Sequence, residues 1–137
     1  MSTKIYIASN IWLDFWLDRT LNLLPAGYYA KNLLDRVISC EFAIVLSNFI
    51  FKELETNIKI DLNERMGTFK LINKLTITEV TKQLFFDAKK LAKERSIPIS
   101  DAVRTLMARQ ERAILVSRDK HFKEVEDLVE VRLPEEL

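Results

Sequence analysis

The sequence has little cysteine, glycine or excess charge, and each shortage excludes a class of protein or site. The single cysteine, Cys40, excludes an internal disulfide and a zinc cluster built from cysteines, and we interpret it as a small core residue. Two glycines are too few for a glycine-rich phosphate-binding loop. The formal net charge of +1 provides no overall basic field, so any contact with nucleic acid would need a local patch.

Long apolar runs are also missing, which argues against a membrane protein. No stretch approaches the roughly 20 apolar residues of a transmembrane helix. Asp14 and Asp18 interrupt the apolar start that a signal peptide would need. The hydrophobic share of 48% nevertheless supports a folded globule. The length of 137 residues predicts one domain over residues 1–137, and we expect it in the cytoplasm.

Short apolar strands alternate with helical patterns along the chain. Strands are predicted at residues 4–7, 42–46, 75–78, 113–116 and 129–133. Helices are predicted at residues 10–18, 28–39, 62–74 (interrupted at Gly67), 80–95 and 100–110, with a further helix after Ser47 and a short one around Phe122. This alternation predicts an α/β protein with a parallel central sheet and helices on both faces.

Small polar residues precede several of these helices and are expected to cap them. Ser9 or Asn10 is placed to cap the helix after the first strand, Ser47 the helix after the second, and Ser100 the helix that follows residues 97–99. A capping side chain accepts a hydrogen bond from a free backbone N–H of the first helical turn. The sequence thus predicts strand-to-helix turns with polar side chains at their ends.

Three acidic residues lie close to the ends of predicted strands. Asp119 comes three residues after a buried strand, Asp101 opens a helix, and Glu53 belongs to the helix that follows residues 42–46. Each could face the same end of the sheet, where ligands usually bind. Carboxylates gathered there repel one another unless a cation neutralises them. Oxygen ligands without cysteine or histidine suit Mg²⁺ or Mn²⁺.

Each of these acids also has an ordinary structural explanation. Asp101 could simply complement the dipole of its helix. Asp119 could cap the short helix before Phe122, and Glu53 could be a solvated surface residue. Spacing alone therefore leaves both explanations open for all three residues.

Four stretches of the sequence together resemble a known family. They are Ala8-Ser9-Asn10, Glu53, Ser100-Asp101-Ala102, and Ile114-Leu115-Val116-Ser117-Arg118-Asp119-Lys120-His121-Phe122. In this order they resemble the PIN-domain nucleases, and most of all the VapC-type toxins of prokaryotic toxin–antitoxin pairs. The resemblance extends over nearly the whole chain and is strongest in the last stretch.

The resemblance implies a fold, an activity and a set of partners. The fold would be a three-layer α/β/α sandwich, and the activity a Mg²⁺- or Mn²⁺-dependent cleavage of RNA. Asp101 and Asp119 would bind the metal, and Glu53 would bind it or orient its water. An antitoxin protein and a second copy of the chain would be the protein partners. The supporting residues implied by the same resemblance are Ser9, Asn10 and Ser117.

Ala8 departs from the family pattern. The first strand of the family ends in an aspartate, and the matching residue here is Ala8. A methyl group cannot bind a metal, so we expect metal affinity and catalysis to be lower. Two explanations stay open. Either an aspartate was replaced to silence a toxic nuclease, or the chain is a natural non-catalytic module that binds RNA or a protein.

A few residues near the predicted site have less specific signals. His121, the single histidine, is interpreted as a surface residue rather than a catalytic base. Arg118, Lys120 and Lys123 could contact RNA phosphates or form a solvated turn. Arg104 could contact RNA or receive an inhibitory segment of a partner.

The first predicted helix has almost no polar face. Trp12 and Trp16 lie in it, and a helix of this kind is either deeply buried or covered by a partner. Stacking of these rings on RNA bases is the alternative. We expect burial in the core or in a subunit interface.

Overall fold

A computed structural model describes residues 2–58 and 62–137, and the strands within them form one parallel sheet. They are β1 (Thr3–Ile7), β2 (Phe42–Ser47), β3 (Leu75–Thr78), β4 (Ile114–Val116) and β5 (Val131–Arg132). Their order across the sheet is β3-β2-β1-β4-β5. All four neighbouring pairs are parallel. The predicted α/β fold with a parallel central sheet is confirmed.

Helices cover both faces of this sheet. They are α1 (Ser9–Leu17), α2 (Ala26–Ile38), α3 (Asn48–Ile58), α4 (Leu62–Arg65), α5 (Gly67–Leu71), α6 (Lys82–Arg95) and α7 (Ile99–Gln110), with 3-10 helices at Lys120–Val125 and Pro134–Glu136. Every helix in the described ranges falls short of the length and apolar character that a membrane crossing requires.

The strand β1 lies at the centre of the sheet, between β2 and β4. Ile5 of β1 aligns with Ile44 of β2 on one side and with Ile114 of β4 on the other. The chain runs first to β2 and later returns to β4, so the loops after β1 and β4 lead away from each other. In open parallel sheets, ligands bind outside the strand ends at such a point. Ala8 and Ser117, which follow these two strands, mark that place.

Two of the predicted caps are wrong, because backbone geometry places these helix starts one or two residues earlier. Ala8 has extended backbone angles and continues the sheet, since its N–H donates to the carbonyl of Val116 (3.0 Å). It therefore takes the N-cap position, and Ser9 is already helical. Pro98 likewise takes the N-cap of α7 in place of Ser100. The prediction for Ser47 is confirmed, because its Oγ accepts from the N–H of Ile50 (3.2 Å).

The helix predicted over residues 62–74, with an interruption at Gly67, ends earlier than expected. The structure has two short helices, α4 and α5, which are separated at Met66. Met66 is fully buried and Phe69 is nearly so, and the helix ends at Leu71. The break therefore falls at Met66, one residue before the predicted interruption at Gly67.

Cys40 lies on the surface rather than in the core. It follows the end of α2 with a φ of 66°, and its N–H donates to the carbonyl of Val37 (2.9 Å). This left-handed turn redirects the chain into β2 and leaves the thiol exposed. The interpretation of Cys40 as a core residue is therefore wrong.

The apolar helix α1 is covered largely by the chain itself. Trp12 is completely buried; its ring stacks on Trp16 with 5.4 Å between centroids and meets the edge of Phe69 at 6.0 Å. Leu17, at the end of the helix, is exposed. The burial predicted for Trp12 is thus confirmed, and stacking of this ring on RNA bases is excluded.

The helices α1 and α2 approach closely at Gly27. A Cβ atom at this position would lie 2.8 Å from the carbonyl oxygen of Asp14 and 2.7 Å from the Cα of Asp18. Both are backbone atoms, which cannot rotate away as the end of a side chain can. At Gly67, in contrast, a Cβ atom would meet nothing within 4 Å among the described residues.

We predict that Gly27→Ala lowers the free energy of unfolding by about 1–3 kcal/mol, the usual cost of overpacking. Gly67→Ala is the matched control. The φ of Gly67 is not positive, so alanine there should leave stability unchanged or raise it by about 0.4–1 kcal/mol. Urea denaturation of the two variants and the parent measures the difference. Equal stability of the two variants would contradict the close helix contact.

Candidate functional site

The three predicted acids lie together at the carboxyl edge of the sheet. Glu53 comes from α3, which follows β2; Asp101 comes from the first turn of α7; Asp119 follows β4. Asp101 and Asp119 belong to one cluster, and Arg104 joins Asp101 to Glu53. The site therefore draws on parts of the chain far apart in sequence, as the carboxyl ends of parallel strands require.

Arg104 is the centre of the contacts between Glu53 and Asp101. Its Nη1 donates to Asp101 Oδ1 (3.2 Å), and its Nη2 donates to Glu53 Oε2 (2.5 Å). The guanidinium carbon lies 5.5 Å from the centre of the Phe49 ring. Only 10% of the side chain is exposed. The sequence suggested RNA or a partner segment for Arg104, but the structure gives it two acidic partners within the same chain.

Glu53 is held from a second side by Ser9. The Ser9 hydroxyl donates to Glu53 Oε1, so both carboxylate oxygens of Glu53 have a donor. Glu53 retains 30% exposure of its side chain. The first residue of α1 and the middle of α3 are thereby fixed to each other across the top of β1 and β2.

Ser117 connects the loop after β4 to the start of α1. Its Oγ accepts a hydrogen bond from the N–H of Asp119 (3.0 Å) and another from Asn10 Nδ2 (3.3 Å). Asp119 Oδ1 in turn accepts from the N–H of His121 (2.9 Å) and caps the following 3-10 helix. Asp119 thus has its ordinary structural role and also faces Asp101.

His121 belongs to the acidic cluster, although the sequence placed it at the surface. Its Nδ1 lies 3.3 Å from Asp101 Oδ2 and 3.4 Å from Asp119 Oδ1. The side chain is 62% exposed, so it is a surface residue with one ring nitrogen turned to the site. The tight turn that Asp119 caps brings His121 back toward the carboxylates. The two-residue spacing between Asp119 and His121 was the sequence feature that could have predicted this contact.

Asp101 is the most buried of the three acids, at 4% exposure. Burial raises the pKa of the Asp101 carboxyl, and the negative charge of Asp119 raises it further; Arg104 and His121 act in the opposite direction. The ionised form of Asp101 is therefore less favoured than in water. Any cation placed between Asp101 and Asp119 would relieve this cost.

Ala8 lies in the middle of this arrangement and is 3% exposed. It is preceded by the central strand and followed by Ser9 and Asn10, whose side chains contact Glu53 and Ser117 respectively. Ala8 thus lies in the segment of chain that joins the α3 side to the β4 side of the site. It offers neither a charge nor a hydrogen-bond acceptor there.

A second ionic network supports the loops and was missed by sequence reasoning. Asp14, 1% exposed, pairs with Arg19 (2.7 Å) and lies 3.5 Å from Arg118 Nε. Arg19 also donates to the carbonyl of Asn10 (3.1 Å). Arg118 donates to both carboxylate oxygens of Glu135 (2.7 and 2.8 Å) and is not a solvated turn residue. The sequence feature that could have predicted this network is Asp14, an aspartate inside an otherwise apolar helix.

Lys120 and Lys123 remain exposed beside the site. They line a cleft of about 400 Å³ together with Ser117 and Asp119. The cleft brings two ammonium groups next to the acidic cluster. It is a place where a phosphate could lie near the carboxylates.

The donor groups fit a divalent cation, with one change from the predicted ligand set. One potential ligand atom each from Asp101, Asp119 and His121 lies within 4.8 Å of the other two. Two carboxylates and an imidazole suit Mn²⁺, and the carboxylates suit Mg²⁺. Both oxygens of Glu53, in contrast, are already bound by Ser9 and Arg104.

Comparison with known proteins agrees with this architecture. The chain aligns over 95% of its length, and 97% of the other chain, with a toxin–antitoxin complex from Klebsiella pneumoniae (TM-score 0.67, 19% identity). It aligns over 97% of its length, and 99% of the other chain, with FitAcB from Neisseria gonorrhoeae (TM-score 0.64, 19% identity). VapBC2 from Rickettsia felis, bound to a DNA fragment from its promoter, gives 96% and 98% coverage (TM-score 0.58, 18% identity).

At these identities the solved structures establish the fold alone. No curated protein sequence matches the chain significantly. The family itself is established by sequence: the model of the PIN domain matches residues 5–128, which include Glu53, Asp101 and Asp119. The chain therefore belongs to the PIN domain family.

Proposed function

We propose that this protein is a VapC-like toxin, a metal-dependent endoribonuclease that hydrolyses RNA phosphodiester bonds and whose activity Ala8 impairs. The observation that carries the proposal is the convergence of Glu53, Asp101 and Asp119 beside Ala8 at the carboxyl edge of the sheet. The PIN family is a nuclease family, and solved structures with the same fold include toxin–antitoxin complexes. We also propose that this chain binds an antitoxin protein and forms a homodimer.

Asp101 and Asp119, joined by His121, are the proposed ligands of Mg²⁺ or Mn²⁺. When bound, such an ion would offset negative charge on the scissile phosphate and lower the pKa of water beside it. Glu53 is proposed to orient the attacking water. Lys120 and Lys123 would bind neighbouring phosphates in the adjoining cleft.

Three supporting residues, Ser9, Asn10 and Ser117, hold Glu53 and the loop of Asp119 in place. Ser9 fixes Glu53 by its hydroxyl, and Ser117 fixes the backbone of Asp119. Asn10 joins Ser117 to the start of α1. Together they keep the loops after β1 and β4 at a constant separation. A site on such connected elements positions its charged groups before substrate arrives.

Ala8 explains why activity should be low. The family has a carboxylate at this position, between the Glu53 side and the Ser117 side of the site. Its absence removes one ligand and one negative charge. The cation would then be held by fewer groups, with lower affinity and less fixed geometry.

The electrostatics of Asp101 support binding of a cation and give a test that needs no substrate. The folded-state pKa of Asp101 is raised, so ionisation of this group opposes folding. Its contribution to stability is complete below the unfolded-state pKa and is lost as pH rises through the folded-state pKa.

We predict that Asp119→Asn lowers the pKa of Asp101 toward the ordinary value, because a neighbouring negative charge is removed. Carbon-13 NMR titration of the aspartate carboxyl groups in the presence of a chelator measures it. Asp127→Asn is the control, since Asp127 is exposed and pairs with Arg95. A pKa of Asp101 that Asp119→Asn leaves unchanged would contradict the coupling.

A naturally non-catalytic PIN-like module that binds RNA or a protein is the second candidate. The contacts of Arg104 favour it, because this cation already occupies Glu53 and one oxygen of Asp101. In such a protein the fold and the cleft beside Lys120 and Lys123 would be retained for binding, and hydrolysis would be absent. The two candidates differ in what a restored carboxylate does.

We predict that Ala8→Asp raises Mn²⁺-dependent cleavage of RNA at least about tenfold over the parent, because it adds an oxygen ligand and a charge to the site. Cleavage is followed on labelled RNA with purified protein and no antitoxin. Ala8→Asn, of similar size but uncharged, and the double variant Ala8→Asp/Asp119→Asn are the controls, and both should stay inactive. If Ala8→Asp cuts no RNA, the nuclease proposal is wrong and the binding module is favoured.

A further inference from the structure

Arg104 places a permanent positive charge inside the acidic site. Its side chain is 10% exposed, and its two terminal nitrogens each donate to a different carboxylate, Asp101 and Glu53. A guanidinium does not lose its proton at any pH that the protein tolerates. The site therefore has one fixed cation of its own, supplied by α7 one turn after Asp101.

The ion pairs of Arg104 are expected to be stable. Hydrogen bonds between ionised partners are about twice as strong as neutral ones, and low surrounding polarity strengthens them further. The ring of Phe49 lies beside the guanidinium and restricts its movement. Removing one partner from a buried pair leaves an uncompensated charge, so neither carboxylate releases Arg104 without a replacement cation.

The metal ion needs the Asp101 carboxylate to which Arg104 is already bound. Asp101 Oδ1 is bound to Arg104, and Asp101 Oδ2 faces His121. Both oxygens of Glu53 have donors as well. A divalent ion must therefore either share Asp101 with Arg104, at a cost in charge repulsion, or displace Arg104 from it.

We propose that Arg104 is a built-in counter-ion that competes with the divalent cation for Asp101, and so keeps the site in a state of low metal affinity. The inference rests on the metal site of the proposed function, which supplies the competing ion. With Ala8 in place of a carboxylate, the competition favours Arg104 further, because the metal has one ligand fewer while the guanidinium keeps both of its partners.

The test is a direct measurement of Mn²⁺ binding to the whole chain, by the electron paramagnetic resonance signal of free Mn²⁺. Arg104→Met, which keeps the length and removes the charge, should lower the Kd for Mn²⁺ about tenfold, since a nearby positive charge is lost. Arg109→Met is the matched control on the exposed side of the same helix and should leave the Kd unchanged. An unchanged or higher Kd for Arg104→Met overturns the proposal.

A charge-retaining variant separates competition from simple packing. Arg104→Lys should bind Mn²⁺ almost as weakly as the parent, because the ammonium group still competes. If Arg104→Lys gains as much affinity as Arg104→Met, the fixed charge is not the cause and the proposal is overturned.

Thermal unfolding gives a second readout and covers the case of a poorly folded variant. Without Arg104 the two carboxylates have no internal cation, so Arg104→Met should melt below the parent in a chelator and gain more from Mn²⁺. Folding that depends on Mn²⁺ supports the proposal; equal gains in both proteins contradict it. If Arg104→Met does not fold at all, Arg104→Gln, which keeps a hydrogen-bond donor, is measured in its place.

The Ala8→Asp background separates failure of this inference from failure of the proposed function. If neither Ala8→Asp nor Ala8→Asp/Arg104→Met binds Mn²⁺, the metal site itself is wrong. If Ala8→Asp binds Mn²⁺ and removal of Arg104 adds no affinity in either background, only the competition is overturned.

Discussion

The ion pairs of Arg104 with Glu53 and Asp101 are the contacts on which the rest of the site depends. Two carboxylates from different helices are brought to one edge of the sheet, and Asp101 is nearly buried. Such groups are stable together only when positive charge lies between them. In this chain the guanidinium supplies it, and a divalent ion bound near Asp119 would compete with it for Asp101.

The fold explains why this constraint arises where it does. The central strand ends at Ile7, and the next three residues face both halves of the site: Ser9 contacts Glu53, Asn10 contacts Ser117, and Ala8 lies between them. The change of strand order at β1 and β4 opens the space above their ends. The charged residues lie around that space, and the small side chain of Ala8 is where the family places an acid.

Much of this architecture could be predicted from the sequence, because it follows from short local patterns. The alternation of strands and helices follows from short apolar runs, and the grouping of acids follows from their places after those runs. The predicted helix caps were wrong at Ala8 and Pro98, because a single sheet hydrogen bond or a proline ring moves a boundary by one or two residues. The break at Met66 lies one residue from the interruption that Gly67 indicated, because glycine lowers helix propensity without fixing the exact boundary.

The charge partners were the least predictable part. Arg104 and Glu53 are 51 residues apart, and their pairing exists only after α3 and α7 have packed. The position of His121 depends on the capping turn at Asp119. Asp14 is paired with two arginines from separate loops, Arg19 and Arg118. The sequence shows how many charged residues there are, but it does not show which of them form ion pairs.

Anomalous diffraction at the manganese edge, from crystals of this chain soaked in Mn²⁺, locates the metal relative to Arg104. We predict a peak bound by Asp101, Asp119 and His121, with Arg104 still paired to Glu53. A manganese peak elsewhere on the molecule, or an Arg104 side chain turned to solvent while Glu53 and Asp101 stand apart, would contradict it.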